Sequence, residues 1–205
     1  MREPGTLLLL SSGARETRER FAERVAGQAN VAFADLQAGD LDGLDTYGAI
    51  FVGCHVDQRR LATQVDRLAV YLEHGGTVVA NGHVAYPFLP GLTPFRSLGR
   101  YKVEDLEVRR PAPHPVFDGV AVEDLTSRRG VVGFYARGWH APPAGARILH
   151  TIGSAELPVD FVYRVGSGRV LFHGGNDLWT FAADTSTRRL VPQLLAWALF
   201  EEQAR

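Results

Sequence analysis

The sequence predicts an α/β fold in three layers, with a mostly parallel central sheet, helices on both faces and a late antiparallel hairpin. Two observations carry this expectation. Through residues 6–80, short apolar runs alternate with segments of helical period, and parallel strands joined by right-handed crossovers acquire helices on both faces. Further on, Gly166-Ser167-Gly168 separates two strand-like runs, and glycine supplies the positive φ that a tight hairpin turn needs.

Taken in order, Thr6 to Leu10 is a continuous apolar run closed by Ser11-Ser12-Gly13, the pattern of a strand buried on both faces. Ala14 to Ala26 places Phe21, Ala22 and Val25 on one helical stripe. Val31 to Leu36 and Ala49 to Gly53 read as strands, joined by a polar connector from Asp40 to Tyr47, and the second ends at Cys54-His55. Gln58 to His74 reads as one helix carrying Leu61, Val65, Leu68 and Leu72, with Gly75-Gly76 at its C-terminus. Thr77 to Ala80 is a fourth buried strand. Prolines between Tyr86 and Ala144 limit that stretch to short elements. Within and after it, Tyr101 to Val108 reads as a bulged strand, and Val131 to Ala136 and Arg147 to Ile152 as further strands. The hairpin strands are Val159 to Val165 and Arg169 to His173. Arg188 to Glu202 is the final helix, buried through Leu190, Leu194, Leu195 and Trp197.

Composition narrows the function classes. The 205 residues carry 22 Lys+Arg against 23 Asp+Glu, a net charge of -1, so no global field draws the chain to nucleic acid or to an anionic membrane. A single cysteine, Cys54, excludes an intramolecular disulfide and a zinc site of several thiolates. No run approaches the ~20 apolar residues that span a bilayer. The expectation is one cytoplasmic domain over residues 1–205, with no cofactor and no metal; a homo-oligomer is left open.

Several stretches together resemble the class I glutamine amidotransferase-like superfamily, and more closely its trehalose-utilisation-like branch. Tyr47 to Gly53 is similar to the strand that carries the oxyanion loop there. Leu72 to His83 resembles the helix, glycine pair and strand that lead into the nucleophile elbow. Gly166 to His173 is similar to the hairpin that presents the catalytic histidine, and His114-Pro115-Val116-Phe117-Asp118-Gly119-Val120 resembles a phrase of the trehalose-utilisation-like branch. The resemblance implies a flavodoxin-like sandwich. It also exposes departures. The elbow, which needs Gly-x-Cys-x-Gly, reads Ala80-Asn81-Gly82-His83-Val84, and His173 is followed by Gly174-Gly175 where the family has Pro-Glu. Both the nucleophile and the orienting carboxylate are therefore expected to be missing.

Strand ends after Leu10, Val52, Ala80 and Phe172 should open on one carboxyl edge, where open α/β sheets bind ligands. His83, His173 and Cys54 are the candidate catalytic residues there. Ser12, His55, Asn81, Asn176, Asp177 and Trp179 are the candidate ligand-binding residues. The competing interpretation is that these side chains cap helices and end strands, with Cys54 buried and inert. His55, His83 and His173 with Asp57 or Asp177 would suit a divalent metal chemically, but no closely spaced ligand motif supports it. The aromatics Trp139, Trp179, Trp197, Phe134, Tyr135, Phe161 and Tyr163 suit a sugar platform or a core; Trp197 is expected inside, Trp179 in the crevice. The function expected is a catalytically degenerate amidotransferase-like domain that binds a small polar molecule or a protein partner at the carboxyl edge. The alternatives are a hydrolase or lyase using His83 and His173 as acid/base groups, with Cys54 or a metal, and an interaction protein docking through the proline-rich region.

Overall fold

Leu7 to Leu10 are all buried because the strand that holds them has a neighbour on either side and a layer on either face. The computed structural model describes residues 3–11, 15–39, 41–181 and 185–200. Its main sheet has eight strands: β1 (Glu3–Leu10), β2 (Asn30–Ala34), β3 (Tyr47–Val52), β4 (Thr77–Asn81), β5 (Val108–Arg109), β6 (Arg147–Ile152), β7 (Leu157–Val165) and β8 (Gly168–His173). They lie in the order β2-β1-β3-β4-β8-β7-β6-β5. The first five in that order are parallel; β7, β6 and β5 continue the sheet antiparallel.

Alternation along each strand divides the core in two. Leu7, Leu9, Ala49, Phe51, Val79 and Leu171 face the layer of α1 (Arg15–Val25) and the C-terminal helical segment. Leu8, Leu10, Ile50, Val52, Val78, Val170 and Phe172 face α2 (Gln58–Ala62) and α3 (Val65–Glu73). Two buried faces explain why these strands read as unbroken apolar runs. The architecture is the flavodoxin-like α/β sandwich with a late antiparallel hairpin, as the sequence predicts.

Four expected elements differ. The helix from Gln58 to His74 is broken at Thr63-Gln64, where the Thr63 hydroxyl donates to Arg60 O (2.7 Å) and the buried Gln64 side chain turns to accept from Leu41 N (3.2 Å). Tyr101 to Val108 is mostly a 3-10 turn, Val103–Leu106, because Asp105 captures the Lys102 N–H (2.8 Å). Val131 to Ala136 pairs only at Val131–Val132, since Gly133 takes φ 84° and the chain turns away there. The final helix is composite. A 3-10 turn at Ser186–Arg189 leads into an α-helical stretch at Leu190–Leu195, and Ala196–Phe200 winds as π-helix; residues 201 and 202 lie outside the described part. No described helix is long and apolar enough to cross a membrane.

Gly168, where β8 begins, sits against the C-terminal end of α3: a Cβ there would overlap Leu72 O and come within 2.7 Å of Gly76 O. Both are backbone atoms that cannot turn aside. Gly168→Ala should therefore cost roughly 1–3 kcal/mol, measured as a lower urea midpoint with an unchanged slope.

Candidate functional site

Strand register gathers four polar residues into a row across the sheet. Asn81 on β4 pairs with His173 on β8, His173 with Asp160 on β7, and Asp160 with His150 on β6. All four are buried. The β6–β7 register shifts on both sides of His150, and such bulges re-aim side chains. As a result Asp160 accepts from His173 Nδ1 (2.5 Å) and His150 Nδ1 (2.6 Å), and from the Tyr135 hydroxyl. Arg110 Nε donates to His150 Nε2 (2.8 Å). A nitrogen that accepts carries no proton, so the His150 proton is on Nδ1, facing Asp160.

Electrostatics follows the same geometry. Burial alone would raise the Asp160 carboxyl, but the facing His173 and the hydrogen bonds from both imidazoles outweigh it and hold the group well below the usual carboxylate range. Burial lowers His150, more than its bonds to Asp160 raise it. An ionised Asp160 therefore faces a neutral His150. Burial, with Asp160 alongside, also raises Tyr135 far above an ordinary phenol, so it remains a donor.

The carboxylate that orients His173, expected to be missing, is present. It comes from the neighbouring strand, on Asp160, and not from the residues after the histidine. Gly175 leaves no room for a side chain: a Cβ there would overlap Tyr135 O and stand 2.7 Å from His173 Nε2. Asp160 and Tyr135 are polar site residues that sequence reasoning missed. The signal available was Asp160 as the lone charge in the otherwise apolar run Val159 to Tyr163. With Nδ1 held by Asp160, His173 leaves Nε2 buried and unpartnered.

Gly82 stands where the sequence resemblance puts the nucleophile elbow. It has φ 118°, donates to His173 O (3.0 Å), and lies so near Cys54 that a Cβ would be 3.0 Å from the Cys54 Cα. Beyond β3, the Cys54 N–H donates to Asp177 Oδ1 (2.6 Å). Burial, then the nearby Asp177 carboxylate, pushes the Cys54 thiol up to about 12. Burial likewise raises Asp177. Asn81 uses both ends of its amide, donating to Val52 O (3.0 Å) and accepting from Leu178 N (3.1 Å), so it ties strand ends together.

The remaining candidates separate. His83 stacks on Phe95 (centroids 4.0 Å apart) and lines a cavity of about 220 Å³ with Phe134, Tyr135, Arg137, Gly175 and Asn176, at the carboxyl edge. Its pKa is lowered by partial burial, then by His173 and Arg137. Asn176 donates to Phe134 O (2.9 Å) on the rim. His55 is exposed beyond β3, and Ser12 lies outside the described residues. Trp179 does not line the crevice; it is buried between Phe21 and Phe51, with ring centroids 5.1 and 5.7 Å away, because its 3-10 turn (Leu178–Phe181) tucks under α1. Trp197 is buried, under Arg169. Tyr135, Phe161 and Tyr163 are also interior, as the core reading of these aromatics has it. Asp57 caps α2 through Arg60 N (3.0 Å). Among the described residues, no three His, Cys, Asp or Glu side chains are placed to hold a metal ion.

The raised thiol makes Cys54 a slow nucleophile. It should react with iodoacetamide at pH 7.5 roughly 100-fold or more slowly in the native protein than in urea, because the thiolate is the reacting form. Buried histidines set the acid stability. His114 and His140, each pushed down to about 4 chiefly by burial, bind fewer protons folded than unfolded between about pH 4 and 6.5, so stability should fall as pH falls through that window. The depressed Asp160 carboxyl adds stability that is present above about pH 4 and lost further down. Asp160→Asn should cost about 3 kcal/mol at pH 7 and remove the fall in stability below about pH 4 in urea titrations.

No protein-family model and no curated protein matches the chain. Solved structures do. A cytoplasmic protein from Salmonella typhimurium superposes with TM-score 0.62 at 13% identity, covering 95% of this chain and 98% of that one. A GMP synthase component from Thermoplasma acidophilum gives 0.56 at 10% identity, over 96% and 94%. A ThuA-like protein from Bacteroides uniformis gives 0.51 at 14% identity, over 96% and 91%. The chain spans only 36% of the length of an exo-β-1,4-mannosidase from an Opitutaceae bacterium that it also matches, with TM-score 0.54 at 15% identity. At these identities the likeness is one of fold: the chain has the α/β architecture shared by ThuA-like and amidotransferase-like structures.

Proposed function

We propose that the chain is a catalytically degenerate amidotransferase-like domain of the trehalose-utilisation-like type, which binds a small polar ligand in the cavity beside His83. The observation that carries this reading is the Cys54 N–H to Asp177 bond. In the family that the sequence resembles, the loop after this strand supplies an oxyanion donor; here a carboxylate of the chain itself already occupies the N–H, and an oxyanion would be repelled from it. Gly82 at the elbow offers no nucleophile in compensation. The 220 Å³ cavity remains, lined by the neutral His83, the cationic Arg137, the Asn176 amide and backbone. It suits a ligand of few atoms that is neutral or anionic and rich in hydrogen-bonding groups. The fold shared with a ThuA-like protein and a GMP synthase component supports the family reading.

A second reading, a hydrolase or lyase, is favoured by His173 itself: Asp160 fixes the ring so that the free Nε2 could act as a base. That nitrogen lies beneath Gly175 and would need the glycine pair to move.

The purified protein should release no glutamate from glutamine. In a thermal-shift screen of small sugars, amino acids and hydroxy acids, hits should weaken roughly tenfold in His83→Ala and in Arg137→Ala, with the folded baseline unchanged. Turnover of a hit that disappears in His173→Gln would establish the second reading instead. Hits indifferent to both rim substitutions would overturn the cavity as the site.

A further inference from the structure

The His114 to Gly119 stretch borders a larger cavity, with lining residues different from those beside His83. It measures about 570 Å³ and lies beside the β5–β6 margin of the sheet, lined by Arg110, His114, Phe117, Asp118, Arg147 and Gln193, with Pro113 and Pro115. Its charge is unbalanced. Among the described residues, neither Arg110 nor Arg147 pairs with Asp118, and Arg189 lies alongside Gly119 at the rim, its Nε 3.3 Å from where a Cβ would stand.

Two buried polar atoms of the lining residues lack partners: Arg110 Nη2, a cationic donor, and Gln193 Oε1, an acceptor. The rest of each side chain is anchored. Arg110 Nε donates to His150, and Gln193 Nε2 donates to Asp118 O (2.8 Å). His114 Nδ1 accepts from Val116 N (3.3 Å), so a neutral His114 carries its proton on Nε2, a further donor. Arg110 Nη2 and Gln193 Oε1 are closed off from solvent, so what the cavity offers a ligand is the unbalanced positive charge of Arg110 and Arg147, which line it.

We propose that this cavity binds a small oxyanion on a short carbon skeleton, its phosphate or carboxylate held by Arg110 and Arg147. Arginine forks match both oxyanions, Phe117 and the prolines cover the carbon skeleton, and the volume is that of an ordinary metabolite site. The site shares no lining residue with the cavity beside His83.

The test is calorimetric titration with glycerol 3-phosphate and with glycerate, using glycerol as the uncharged control. At least one anion should bind saturably with a Kd of about 1 mM or tighter, and glycerol should not. Which anion binds decides the head group, and either result supports the site. Arg147→Ala, at an exposed strand start, should weaken binding roughly tenfold. Arg100→Ala, an exposed arginine outside the cavity, should not change it. Absence of saturable binding by both anions, equal binding of glycerol, or an Arg147→Ala protein that binds like the wild type would overturn the proposal.

Discussion

The interior of this protein is organised around one carboxylate. An ionised Asp160 with no solvent contact would cost several kcal/mol if left alone, and the fold meets that demand with donors from separate parts of the chain: His150 on β6, His173 on β8 and Tyr135 in the loop that covers them. Satisfying Asp160 therefore fixes the register of the antiparallel half of the sheet against the parallel half. It also fixes the tautomer of His150 and, through it, the guanidinium of Arg110. From Arg110 to His173 the hydrogen bonds are continuous, so the lining of the larger cavity and the floor of the smaller one share a single buried network.

Backbone proximity closes the carboxyl edge. Gly82 lies against Cys54 at φ 118°, and Gly175 lies against Tyr135 and His173 at a distance a side chain would not permit. Asn81 and Asp177 then satisfy the main-chain groups at the strand ends, through Val52 O, Leu178 N and Cys54 N. In a catalytic elbow, such backbone donors stay open for a reacting oxygen. In this chain the Cys54 and Leu178 N–H groups are taken by the Asp177 and Asn81 side chains, which stabilises the edge. His83, Arg137 and Asn176 are left facing the space that remains.

The orienting carboxylate shows how a local comparison can mislead. Its role belongs to a position in space beside the imidazole, which either the following residues or a cross-strand partner can supply. Gly174-Gly175 carries no carboxylate, and Gly175 admits the main chain of Tyr135, whose hydroxyl donates to the cross-strand Asp160 in a dry environment.

What the sequence determined by itself is what its local periodicity encodes. The unbroken apolar strands, the α1 stripe and the Gly166-Ser167-Gly168 turn define the layered sheet, because burial on two faces leaves a direct imprint on composition. The absence of a cysteine at Gly82 was equally plain. Tertiary structure decided where the short elements between prolines fall, since side chains such as Asp105 and Thr63 outcompete the pattern locally. It placed Trp179 in the core, because aromatic residues just past a strand end can turn either way. It also brought together Tyr135, His150, Asp160 and His173, whose alignment depends on strand order and on register shifts at His150 that no residue spacing encodes.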